Sequence, residues 1–78
     1  VKLERGVYVR VRLIGDSDWC EAFVVLAGGS SVALFLKGAV RTGSGGAIFN
    51  FLPLSINYEA QTVTSLFGDE YELEVHEN

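Results

Sequence analysis

The chain has 78 residues, 49% of them hydrophobic, and a net charge of −4. That length makes one domain, 1–78, and so small a domain hides only roughly 60–65% of the surface its unfolded chain exposes. An acidic chain without a basic cluster disfavours nucleic acid as a partner without closing it off, and no apolar run nears the roughly 20 residues that span a bilayer.

Val7 to Ile14 alternates, with Val7, Val9, Val11 and Leu13 on one face and Tyr8, Arg10 and Arg12 on the other. Period-two alternation rich in β-branched residues predicts a half-buried strand. Gly15-Asp16-Ser17-Asp18 predicts a turn, being made of residues that tolerate bent backbone or cap it with side-chain oxygens. Trp19 to Ala27 is the second strand, apolar on both faces from Phe23 to Leu26, and Gly28-Gly29-Ser30-Ser31 closes it. Val32 to Leu36 returns as a hairpin partner, and Lys37-Gly38 predicts a bulge before Ala39 to Arg41 continues the strand. Thr42-Gly43-Ser44-Gly45-Gly46 is a second tip. Ala47 to Tyr58 is the longest extended run, and Pro53 requires it to be bent, bulged or at an edge there. Glu59 to Phe67 stays open between a strand at Thr62-Val63-Thr64 and a helical turn over Ser65-Leu66-Phe67-Gly68. Finally Tyr71, Leu73 and Val75 alternate with Glu70, Glu72, Glu74 and His76.

No apolar stripe of helical period runs beyond two turns, so the fold class is all-β: a small, five-stranded, strongly bent sheet closing into a barrel. The charges give one pairing. Lys2, Arg5, Arg10 and Arg12 lie in the first strand region, whereas Asp69, Glu70, Glu72, Glu74 and Glu77 fall in the last ten residues. Opposite charges across neighbouring strands stabilise them by roughly 0.2–1 kcal/mol per pair. The first and last strands are therefore expected side by side, which also removes open sheet edges.

Cys20 is the only cysteine, and with no signal-peptide pattern it points to a reducing, cytoplasmic setting. No methionine is present, so residue 1 is read as something other than a translational start: a processed form, an excised domain or a shortened chain.

The candidate sites each have a plainer explanation. Gly43, Gly45 and Gly46 form a glycine tip, but a phosphate cradle needs a helix after it, and an apolar strand follows here. Asp16 and Asp18 lack the third ligand and glycine of a calcium loop, since position 20 is cysteine. Cys20 and His76 are the only soft ligand and the only imidazole, too few for zinc. Glu21 beside Cys20 opposes a thiolate, so a nucleophilic pair is not expected. Glu70, Glu72 and Glu74 share a face as a paired-carboxylate site would want, yet a solvated face neutralised by arginines explains them as well. No cofactor or metal is expected, and no enzyme either.

Tyr8, Trp19, Phe49, Phe51, Tyr58, Phe67 and Tyr71 are among the large aromatics. Phe49 and Phe51 fall on one face of the Ala47–Ile56 run, with Leu52, Leu54 and Ile56 on the other. A strand apolar on both faces, in a domain too small for a two-sided core, is expected to put one face in an interface. Phe49, Phe51, Leu52, Leu54 and Ile56 are thus the interface candidates of a homo-oligomer.

Short hairpins, a bent long strand and a last strand returning to the first resemble the small SH3-like and Sm-like barrels. The resemblance covers nearly the whole chain and concerns architecture. Sm-like proteins carry an aspartate and an asparagine for RNA contact where this chain reads Phe35-Leu36-Lys37-Gly38-Ala39-Val40, with neither. The cyclic-dinucleotide signature of PilZ barrels is also missing: Arg5 and Arg10 are wrongly spaced, and no glycine follows Asp16-Ser17-Asp18. No functional residues carry over. The expected function is a non-enzymatic assembly or protein-interaction module. The alternative is an Sm-like ring that binds RNA or a small anion through Lys37, Arg41, Gly43, Gly45 and Gly46.

Overall fold

A computed structural model describes residues 3–75. Six strands, β1 (Tyr8–Leu13), β2 (Cys20–Gly28), β3 (Ser31–Arg41), β4 (Ala47–Asn57), β5 (Thr62–Ser65) and β6 (Glu70–Val75), close antiparallel in chain order into a barrel. The all-β class and the closure are as the alternation implied, but the strands number six rather than five. The extra one is β5, whose Thr62–Ser65 pairs with Leu54–Asn57 of β4. The helical turn considered after it is instead a reverse turn, with Gly68 N–H donating to the Ser65 carbonyl at 3.1 Å and Gly68 at φ +87°.

β1 and β6 are adjacent, as the charges implied, and their register sets Arg10 opposite Glu74 and Arg12 opposite Glu72. Lys2, His76 and Glu77, named above as part of the charge pattern or as a ligand, lie outside the described residues.

Two irregularities set the shape. In β2, Val24 pairs with Leu34 and Leu26 with Ala33, so Val25 is an extra residue and Leu26 turns outward instead of inward. In β3 the expected bulge is present and wider than two residues: Leu36, Lys37 and Gly38 stand opposite Asn50 alone. Asn50 takes φ +68° there, a conformation that asparagine tolerates better than most residues. Pro53 sits where β4 has run past β5. Ile56 N–H turns toward Ser30, so three residues back the Pro53 nitrogen faces away from β3, and no ladder bond is lost.

The core is aliphatic. Val9, Val11, Ala22, Val24, Val32, Leu34, Leu36, Val40, Leu52 and Leu54 are buried, and Tyr71 is the one aromatic ring among them. Its hydroxyl donates to the Arg41 carbonyl at 2.8 Å, and burial, helped by Asp69, raises its pKa. All five phenylalanines of the chain lie outside this core.

Candidate functional site

Because side chains alternate along a strand, fixing Val9, Val24, Leu34 and Leu52 inward fixes Tyr8, Phe23, Phe35 and Phe51 outward. The register then brings these four together. Tyr8 is opposite Phe23, Phe23 opposite Phe35, and Phe35 opposite Phe51, giving an aromatic ladder across β1 to β4. Ring centroids lie 5.9 Å apart for Tyr8–Phe23 and 5.4 Å for Phe23–Phe35, both tilted. Such pairs add about 0.5–1.5 kcal/mol beyond simple burial, so the ladder helps to hold the sheet. It still leaves Phe35 and Phe51 part-exposed to water. Phe49 extends the row along β4, and Lys37 lays its ammonium 5.5 Å from the Tyr8 ring.

Beside the ladder runs a groove of about 460 Å³, floored by Ala33 and walled by Leu26, Phe51, Pro53 and Leu66. Leu26 is there because of the β2 bulge. The 11 residues of β3 and the 11 of β4 contain no aspartate or glutamate, although the chain has ten. Among the described residues the acids all lie outside these two strands.

The interface candidates therefore divide. Phe49 and Phe51 stand outside, but Leu52, Leu54 and Ile56 are buried in the barrel. The correction follows from the pleat: only one face of β4 is free, because the other closes the core. Tyr8, Phe23, Phe35 and Leu26, which the sequence reading left out of the interface, join Phe49 and Phe51 on the apolar face.

The basic and glycine-rich candidates do not form a cation patch. Lys37 is over Tyr8, and Arg41 Nε lies 3.9 Å from Asp16 Oδ2. The tip folds on itself: Gly45 N–H donates to the Thr42 carbonyl and Gly46 N–H to Thr42 Oγ1, both at 3.0 Å. Those are amides a phosphate cradle would need free. Asp69 Oδ1 abuts Gly43, where a Cβ would collide with it. Asp16 and Asp18 line the notch beside Gly45 and Gly46, so an anion would meet carboxylates.

Asp16 also accepts the Ser17 N–H at 2.9 Å, which is turn chemistry. Glu74 bonds Arg10 Nε at 2.7 Å, and Glu72 bonds Arg12 at 3.2 Å. The Trp19 ring takes both guanidinium groups, with Arg10 at 4.4 Å and Arg12 at 4.5 Å. Cys20 is buried, and its thiol pKa is raised chiefly by that burial; backbone hydrogen bonds from Gly38 and Lys37 oppose the rise and Glu21 adds to it. Among the described residues no helix is long and apolar enough to cross a membrane.

Compared with protein-family models, curated proteins and solved structures, the chain matches none.

Proposed function

We propose that this small barrel is a non-enzymatic assembly module that self-associates through the apolar outer face around Phe49 and Phe51. One observation carries the reading: the core is filled with aliphatic side chains while every phenylalanine stands outside it. Small monomeric proteins rarely leave a contiguous apolar face of this kind in water. The closed barrel, with bulges in β2 and β3 and with β6 returning to β1, is compatible with an SH3-like or Sm-like architecture. Of the two functions such barrels suggested, ring-type binding of RNA or an anion has less support, because the tip's amides are engaged and its flank is acidic.

Light scattering on the wild type and on Phe49→Glu/Phe51→Glu tests the proposal. The wild type is expected above the single-chain mass and the double variant at it. Apolar association should also persist as salt rises, whereas RNA binding through basic loops would weaken steeply. A wild type that stays at the single-chain mass refutes the proposal.

A further inference from the structure

We infer that the occupant of the aromatic face is a second copy of the chain, docked face to face across a twofold axis that passes beside Phe35. The inference rests on the reading of the protein as a self-associating module and adds the surface, the symmetry and the order of the assembly.

Three observations support it. The first is area. Phe35, Phe49 and Phe51 are 41%, 66% and 49% exposed, and Leu26 and Leu66 are 63% and 79% exposed. At roughly 200 Å² per aromatic side chain, and somewhat less per leucine, these five leave about 500 Å² of apolar surface in water. A standard interface takes about 800 Å² per partner, of which about 60% is apolar, so one side needs about 500 Å². The face supplies that amount.

The second is shape. A twofold contact requires a surface that is its own complement, so that what residue i of one copy touches is touched in return. This face carries projections, Phe35 and Phe51, and beside them a hollow of about 460 Å³ over Ala33. Phe51 of one copy can enter the hollow of the other while the reverse contact forms. The midpoint between Phe51 and Ala33 lies next to Phe35, because Phe35 pairs with Phe51 and is two residues from Ala33 on β3. Sheets that stack in this way interleave side chains across about 10 Å.

The third is charge. Two copies of a chain at −4 repel unless the contact avoids their carboxylates. β3 and β4 offer 22 residues with none. The β6 side, bearing Glu70, Glu72 and Glu74, would set like charges against each other.

The test uses the whole chain carrying Cys20→Ala with either Phe35→Cys or Glu72→Cys, treated with a short bismaleimide while mass is followed by light scattering. Residues held together across an interface meet at effective concentrations near millimolar, so Phe35→Cys is expected to link into dimers at least about tenfold faster than Glu72→Cys. If Cys20→Ala does not fold, the same rates are read with Cys20 kept, since that thiol is buried. A dimer in which Phe35→Cys links no faster than Glu72→Cys overturns the arrangement and leaves self-association standing. An assembly larger than two also overturns it, because a twofold contact closes at two. A chain with Phe35 intact that stays a lone particle at every concentration overturns both readings.

Discussion

The outer surface of the barrel has two sectors that follow the same alternation rule and end differently. On β6 and β1 the outward arginines find carboxylates within the chain: Arg10 meets Glu74, Arg12 meets Glu72 through one terminal nitrogen while its Nε is left unpaired, and Trp19 lies against both guanidinium groups. On β2 to β4 the outward row is Phe23, Phe35, Phe51 and Phe49, with Leu26 beside it, and no part of the described chain lies over it. The charged sector pairs Arg10 and Arg12 with carboxylates of the same molecule. The aromatic sector packs its rings against one another at a tilt and still leaves Phe35, Phe49 and Phe51 part-exposed, where burial by another surface would gain roughly 25 cal/mol per Å². Exposure alone does not mark a site; exposure without a partner inside the chain does.

Phe23→Ala would break the comparison most strongly. Phe23 is half-buried and contacts both Tyr8 and Phe35, so its loss removes two aromatic pairs and part of a packed ring. A fully buried Phe→Ala costs about 3–5 kcal/mol, and at this partly exposed position about 2 kcal/mol is expected. Urea unfolding of dilute protein would measure it. The same variant should also weaken self-association, since it removes the support under Phe35. If stability falls and association does not, the ladder serves only to hold the sheet.

Much of this division could be read from the sequence. Arg10 and Arg12 on the first strand and the glutamates on the last make the closure of the barrel legible, because opposite charges favour neighbouring strands, although the register itself shows only in the structure. Phe49 and Phe51 were visible for the same reason: a strand apolar on both faces advertises itself. Phe35 was harder, because Val32 to Leu36 is an unbroken apolar run and only its pairing with Phe51 shows which members face out. Leu26 was hidden outright. The extra Val25 reverses the parity after Val24, and no proline or glycine there marks the bulge. β5 was uncertain because four residues carry too little periodicity to separate a strand from a turn. Leu52, Leu54 and Ile56 look as much like interface residues as Phe49 and Phe51 while the strand is taken alone, because its two apolar faces cannot be told apart until the barrel closes over one of them.

Trp19→Ala comes next in size and falls in the other sector. It removes the ring on which Arg10 and Arg12 both rest, and each cation–π contact at a partly exposed site is worth about 0.5–1 kcal/mol. The expected loss is therefore about 1–2 kcal/mol in unfolding, with the oligomeric mass unchanged. A change of mass would mean that the charged sector also takes part in assembly.

The smallest effect gives the sharpest distinction. Arg10 and Glu74 touch on the surface, both about half exposed, and a pair of this kind couples by only about 0.2–1 kcal/mol because water and salt screen it. A double-mutant cycle with Arg10→Gln and Glu74→Gln should give a coupling near 0.5 kcal/mol that fades as salt is raised. A parallel cycle with Phe35→Ala and Phe51→Ala, read as association and not as unfolding, should keep its coupling in the same salt, since apolar contact is not screened. If the aromatic cycle fades with salt like the charged one, the two sectors do not differ in kind, and the division of the barrel into a finished and an unfinished face fails with it.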